Sequence, residues 1–290
     1  MIKEENKFSV LLSVYIKEKP EFLKSALNSI YLEQTLKPDE IVLVKDGPLT
    51  KELDDVIDKF KQNLKGILKI IVLKKNMGLG YALNEGIKEC SYELIARMDT
   101  DDIATPYRFE KQVSFFKSNP DVDVLGGMIE EFEEVPGDLG QFRMLPFEHD
   151  KILSFAKFRN PINHPTVTYK KSKILEVGGY TSDILFWEDY LLWVKLLNNG
   201  CVFHNLDSVL LSFRVQNGNQ MIKKRRGIKY AVNEVKFARF ARKIRFFNNY
   251  DFIKYISLKP PGRLLPSVII SKVYNTIFRK KSSIKKNNLE

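Results

Sequence analysis

The sequence predicts an α/β chain built on a mostly parallel, doubly wound central sheet flanked by helices. Two observations carry that prediction. Four short apolar runs in the first 98 residues alternate with segments whose apolar residues recur at helical spacing, the pattern of strand–helix–strand units. Turn residues and acids stand directly after such runs, at Lys45-Asp46-Gly47-Pro48 and at Asp99-Thr100-Asp101-Asp102. In open α/β sheets, ligands bind beyond the carboxyl ends of the strands.

Residues 8–14 are apolar apart from two serines and read as a buried strand. Residues 21–32 place Phe22, Leu23, Ala26, Leu27 and Ile30 on one helical face. A second strand over 40–44 closes in the turn at 45–48. An amphipathic helix over 53–60, a strand over 68–73 and a helix over 81–89 follow. Residues 94–98 form the fourth strand, with Arg97 its one charged interruption. A helix is expected over 106–117 and a strand over 122–129, followed by an acidic run at 130–134 that reads as solvated. Residues 161–169 mix polar and apolar character, and 174–177 lead into a tight turn at Gly178-Gly179-Tyr180. Residues 190–198 read as a helix and 209–215 as the last strand.

At 290 residues the chain can bury a substantial core, as one large domain or a domain with an appendage. The net charge of +11 conceals a division. Residues 1–215 carry 28 Lys/Arg against 33 Asp/Glu, whereas 216–290 carry 19 against 3, a net of +16. Composition therefore sets a boundary near 215, with a basic helical extension beyond it. Such asymmetry points to a polyanion, either nucleic acid or an anionic membrane surface, and a solvated helical tail is the plain alternative. Two cysteines make neither a disulfide framework nor a zinc site and fit a reducing cytoplasm. The first residues lack the apolar stretch of a signal peptide, and no window approaches the roughly 18 to 20 apolar residues that span a bilayer. A soluble or peripheral protein is expected.

Asp99, Asp101 and Asp102 repel one another unless a cation or hydrogen-bond donors offset them. Hard carboxylate oxygens suit Mg²⁺ or Mn²⁺, which bind through one or two carboxylates plus substrate phosphates. An acidic turn capping the next helix is the structural alternative. Asp46 is placed to accept hydrogen bonds from a base or ribose, although alone it reads as a turn residue. Asn76-Met-Gly78-Leu-Gly80-Tyr-Ala82-Leu-Asn84 opens a helix after a strand, and its glycines would let phosphates approach the helix terminus. It is not the dinucleotide fingerprint, because Leu83 stands where the third glycine belongs, and it is not a P-loop. Trp187-Glu188-Asp189-Tyr190 sets two acids at a helix start. They serve either as capping residues or as a carboxylate pair suited to general base work. His164, by itself, reads as structural.

Taken in order, six segments resemble the family 2 glycosyltransferases over roughly residues 7–215. They are Ser9-Val-Leu-Leu-Ser-Val-Tyr15, Val44-Lys-Asp46-Gly47, Asn76-x-Gly78, Arg97-Met-Asp99-x-Asp101-Asp102, Pro106-x-Arg108 and Trp187-Glu188-Asp189. Phe213-Arg214-Val215, Lys224-Arg225-Arg226 and Arg263-Leu-Leu-Pro266 look like small bacterial enzymes of exopolysaccharide and capsule synthesis. The resemblance implies a GT-A fold, with a nucleotide-sugar half at about 1–105 and an acceptor half at about 106–215. It implies inverting transfer of one sugar from a nucleotide sugar, first a UDP-sugar, to a hydroxyl of a lipid-linked saccharide, with Mn²⁺ or Mg²⁺. The products would be exopolysaccharide, capsule or O-antigen.

In that resemblance Tyr15 would stack on the base and Asp46 would hydrogen-bond it, while Asn76 and Gly78 line the ribose and diphosphate. Arg97 belongs to the same nucleotide-sugar set. Asp99, near the ribose, and Asp101 would form the D-x-D metal pair, and Asp102 would assist the metal or the donor sugar. Asp189 would take the proton of the attacking hydroxyl. Glu188 would orient the acceptor or tune Asp189, and His164 and Trp187 would lie on the acceptor side. The chain has two tryptophans, Trp187 and Trp193, neither in the Q-x-x-R-W motif of processive synthases, so a distributive enzyme is implied. Gln216 stands where many relatives place a histidine, which implies a looser metal shell.

The basic extension, with an interfacial helix over 264–278, would hold the protein on the anionic inner face of the cell membrane, in the cytoplasm. No nucleic acid partner is expected. Two alternatives are a nucleotidylyltransferase of related fold and a non-catalytic polyanion-binding protein. The first predicts a glycine-rich loop after the first strand, where Tyr15-Ile-Lys-Glu18 stands instead. The second draws on Phe237, Phe240, Phe246, Phe247 and Tyr250, interleaved with Arg and Lys as base stacking requires, a spacing that packing residues share.

Overall fold

A computed structural model describes residues 7–64, 66–181, 184, 186–215 and 226–265. The first half follows the apolar periodicity. Strands β1 (Phe8–Val14), β2 (Glu40–Lys45), β3 (Leu68–Val72) and β4 (Leu94–Met98) are parallel, and α1 (Pro20–Tyr31), α2 (Lys51–Asn63) and α3 (Leu79–Glu89) connect them. Side chains alternate across β1. Phe8, Val10, Leu12 and Val14 pack with α1 and α2, whereas Leu11 faces α3 on the other side. Register levels the strand ends: Val14 pairs with Lys45, and Leu12 with Met98. Tyr15, Asp46 and Asp99 therefore leave the sheet along one rim.

Beyond β4 the sheet becomes mixed. The elements are β5 (Ile103–Ala104), α4 (Arg108–Ser118), β6 (Val122–Phe132), β7 (Gln141–Arg143) and α5 (His149–Ala156), then β8 (Thr168–Lys170), α6 (Lys171–Glu176), α7 (Glu188–Asn198) and β9 (Val202–Arg214). Among the described residues nine strands form one sheet in the order β3-β2-β1-β4-β8-β6-β9-β5, with β7 on β6. β8 runs antiparallel to β4 and β6, while β9 runs parallel to β6.

Three local expectations change here. The acidic run at 130–134 is not solvated throughout: Glu130 and Glu131 belong to β6, and buried Glu131 pairs with Arg143 of β7. β9 begins at Val202, well before 209, because polar His204 and Asn205 are carried inside the sheet by pairing with β6. Residues 161–169 hold a 3-10 turn, His164–Thr166, and then β8.

The described part of the basic extension is a helical hairpin, α8 (Ile228–Lys243) and α9 (Asn249–Leu264). Phe237, fully buried, stacks on Tyr190 of α7 at 4.2 Å between centroids, and Phe247 and Tyr255 close around it. A capping box at Asn248 and Asp251 starts α9. This hairpin shares the core of the 1–215 segment. Phe237, Phe246 and Phe247 are buried and closed to nucleic-acid bases. Gln216, Lys224, Arg225, Pro266 and the stretch 266–278 lie outside the described residues.

Candidate active site

The nucleotide side starts at Asp46, which is buried. Its Oδ1 accepts the Met77 N–H at 2.7 Å and its Oδ2 the Gly78 N–H at 3.0 Å, while Asn76 Nδ2 donates to its carbonyl at 3.3 Å. One carboxylate thus fixes the loop that opens α3. Gly47 makes that approach possible. Its φ is +92°, and a Cβ there would lie 2.6 Å from the Asn76 nitrogen. Gly78, at φ +87°, is the N-cap of α3 and offers no capping side chain, so the positive end of the helix faces the rim.

The acid cluster occupies the end of β4. Arg97, buried beneath it, holds Asp99 with its two terminal guanidinium nitrogens, Nη1 and Nη2. Buried Arg108 props the strand end by donating to the Arg97 carbonyl at 2.6 Å. Asp101 is partly exposed, and burial together with neighbouring Asp99 and Glu18 pushes its carboxyl up to about 7. Glu18 joins this cluster without having been expected there; its carboxylate accepts from the Thr100 hydroxyl at 2.7 Å. Its sequence signal is position, four residues past β1.

Asp102 differs from the expectation. It has no exposed surface, and its Oδ1 accepts the Arg214 N–H at 2.9 Å. Arg214 also donates from Nε to the Asp101 carbonyl at 2.9 Å and lies over the rings of Phe22 and Phe132. Asp102 therefore fastens β9 behind the acid pair through Oδ1, while its buried Oδ2 has no hydrogen-bond partner.

Asp99 and Asp101 fit a divalent cation. Arg97 balances Asp99, but Asp101 lies among further acids; burial first, and then this negative charge, raise its proton affinity, and a cation would offset the charge. Among the described residues no group of three or more His, Cys, Asp and Glu forms a metal cage. Two carboxylates leave coordination positions for substrate phosphate oxygens.

A second pair of acids begins α7. Glu188 stands against the start of α3, where a Cβ on Gly80 would be 3.4 Å from its Cγ. Burial pushes its carboxyl upward, against the N–H groups of Phe186 and Glu188 that bond it. Asp189 Oδ2 accepts from Asn160 Nδ2 at 2.7 Å, and Oδ1 accepts the Tyr190 N–H at 2.8 Å. Asn160 carried no sequence signal, because a lone asparagine before a proline reads as a turn.

His164 and Trp187, expected on the acceptor side, both pack against neighbouring side chains. His164 Nε2 lies 2.9 Å from the Tyr180 hydroxyl and its ring packs on Trp193. Burial and Arg97 push its pKa well down, so the neutral ring supports Tyr180. Tyr180 in turn exchanges two 2.8 Å hydrogen bonds with Asn84 of α3. Trp187 is buried beneath Tyr230 and Arg263, while Phe186 beside it is exposed.

A parallel α/β half ending in a D-x-D pair, joined to a mixed half whose helix start brings a second acid pair to the same rim, defines a glycosyltransferase of the GT-A class. Residues 9–176 match Glycosyl transferase family 2, and the chain belongs to that family. The nucleotidylyltransferase and non-catalytic readings fall with that match. The chain is 41% identical over 280 residues to the UDP-Gal:alpha-D-GlcNAc-diphosphoundecaprenol beta-1,3-galactosyltransferase of Escherichia coli, covering 97% of this chain and 99% of that one. It is 39% identical to the amylovoran biosynthesis glycosyltransferase AmsE of Erwinia amylovora, covering 92% and 97%. Among solved structures, S. aureus TarS (residues 1–349) in complex with UDP-GlcNAc shares the fold at TM-score 0.63 and 19% identity, over 86% of this chain and 70% of that one. The mannosyltransferase PcManGT of Pyrobaculum calidifontis, in complex with GDP-Man and Mn²⁺, does so at TM-score 0.60 and 15% identity, over 93% and 75%. No helix among the described residues is long and apolar enough to cross a membrane.

Proposed function

We propose that this glycosyltransferase moves one sugar from a UDP-sugar to a hydroxyl of a lipid-linked saccharide during bacterial polysaccharide synthesis, inverting the configuration at C1. The observation that carries the reading is the meeting of two helix starts: Glu188 of α7 rests against Gly80 of α3, beside the loop that Asp46 anchors. Donor and acceptor groups thereby share one rim. The E. coli and Erwinia relatives, named for a lipid-linked acceptor and a polysaccharide, support the substrate classes.

Tyr15, 43% exposed past β1, offers a ring face to the base. Asn76 and Gly78 border the ribose and diphosphate, and the bare start of α3 faces the phosphates. Bound at Asp99 and Asp101, Mn²⁺ or Mg²⁺ would offset charge on the departing nucleoside diphosphate. Asp189, oriented by Asn160, takes the proton of the acceptor hydroxyl as that oxygen attacks C1 from the face opposite the leaving group. Glu188 positions the acceptor.

Residues 1–215 form the catalytic part, with the nucleotide-sugar half at 1–105. The hairpin exposes Ile228, Val232, Tyr250, Ile253 and Leu258. With the net charge of +16 over 216–290, that surface suits the anionic inner leaflet of the cell membrane.

A donor-hydrolysis screen across UDP-, GDP- and dTDP-sugars, with and without Mn²⁺, tests the reading. Metal-dependent turnover of a UDP-sugar that Asp101→Ala abolishes is expected. Turnover retained by Asp101→Ala removes the assigned site.

A further inference from the structure

Phe186 has a left-handed backbone, φ +71°, a conformation that bulky residues avoid. Such strain persists where the surroundings enforce it and clusters at functional sites. Here the left-handed turn sends the Phe186 N–H to the Glu188 carboxylate and turns the side chain outward, 58% exposed. Its ring stacks on Tyr230, with centroids 5.6 Å apart and planes at 16°.

The stack rests on a fixed base. Trp187 packs below Tyr230 at 5.8 Å, and the Arg263 guanidinium lies 5.7 Å from the Trp187 ring and 6.0 Å from that of Tyr230. Buried Glu234 holds Arg263 at 2.8 Å and accepts the Tyr255 hydroxyl with its other oxygen. Lys229 Nζ stands 6.0 Å from the Phe186 ring centre. An exposed aromatic face with cationic neighbours, two residues before the catalytic acids, has no part in donor binding as described above. Its apolar ring face meets the C–H face of a pyranose, and its polar rim meets the hydroxyls. An alkyl chain would gain nothing from the flanking Lys229 and Arg263.

We propose that Phe186 and Tyr230 form a sugar-stacking subsite that holds a saccharide ring of the acceptor beside Glu188 and Asp189. This rests on the acceptor reading above.

The test uses the full chain and a panel of mono- and disaccharides linked through diphosphate to short and long alkyl chains, including GlcNAc diphosphate. Phe186→Asn is chosen because asparagine tolerates the left-handed backbone, and Tyr230→Leu changes the other half of the stack. Each is expected to raise acceptor KM by roughly tenfold, the scale of one well-packed aromatic contact. Donor KM should shift by less than about twofold, because neither ring belongs to the donor-binding residues proposed above. Phe186→Tyr and Tyr230→Phe should restore acceptor KM. Transfer with unchanged acceptor KM in both variants overturns the subsite alone. So does a KM effect that appears only with long alkyl chains, which assigns the rings to lipid. A wild-type chain that hydrolyses no nucleotide sugar and transfers to no panel member overturns both the reading and the subsite.

Discussion

Asp101 is partly buried with Asp99 and Glu18 as acidic neighbours, and that setting governs its titration. Burial and the two acids raise its carboxyl to about 7. A raised acid binds its proton more tightly in the folded state, so in metal-free protein this contribution to stability is full below about pH 4, the ordinary carboxylate range, and is lost progressively as pH rises to 7. A divalent cation replaces the proton. The gain in Tm on adding Mn²⁺ is therefore predicted to be larger at pH 8 than at pH 6, and Asp101→Asn should remove the difference. Equal gains in the wild type, measured by calorimetry, would take Asp101 out of the metal site. On the other side of the rim, Asp189→Asn should abolish transfer while donor affinity, by isothermal titration, changes less than about twofold, since the base acts only on the acceptor. At this scale the acids themselves were legible, because carboxylates at strand ends stand out in an α/β pattern. Asp102 was not. Nothing in a D-x-D-D string says which carboxylate turns inward, and only β9 arriving with the Arg214 N–H assigns it.

The loop–helix units carry the next level. Gly47 must be both left-handed and bare for Asn76 to approach. Gly47→Ala is predicted to destabilise the fold by about 1–3 kcal/mol in urea unfolding and to raise donor KM. An unchanged midpoint would mean that the loop relaxes around the new Cβ. Gly179, at φ +67°, is similarly constrained, since a Cβ there would lie 2.4 Å from Asn84 Oδ1. The strands and helices of the first half were legible from periodicity because each is long enough to print its pattern. β5, β7 and β8, two or three residues each, are too short for alternation to show. Glu131 misled for a different reason: an acid in a buried strand is readable only with its partner, and Arg143 lies twelve residues away.

For the whole molecule, the hairpin is part of the core as well as a basic surface. Phe237→Ala should cost about 3–5 kcal/mol, the usual range for removing a buried phenylalanine, measured by chemical denaturation. Removing residues 216–290 would uncover Tyr190 and Trp187 and is predicted to unfold the catalytic part, so it cannot isolate membrane binding. Neutralising Lys280, Lys281, Lys285 and Lys286 to Gln in the full chain does isolate it. Sedimentation with phosphatidylglycerol vesicles should fall, and the remaining binding should weaken in high salt. Sedimentation equal to wild type would remove the membrane role of these lysines. Composition marked this segment as a basic extension, with a solvated tail as the alternative, because Lys and Arg far outnumber Asp and Glu there. Its apolar residues have a partner only once α7 is in place.

By itself the sequence determined the strand–helix alternation, the rim on which the acids lie and, through six ordered motifs, the family. These depend on short-range periodicity and on residues next to one another in the chain. Tertiary structure alone decided that Glu188 meets Gly80, that Asn160 orients Asp189, that Asp102 faces inward, and that α8 and α9 close over α7. Each of these is a contact between residues separated by tens of positions, and such contacts exist only after the sheet has set the register of its strands.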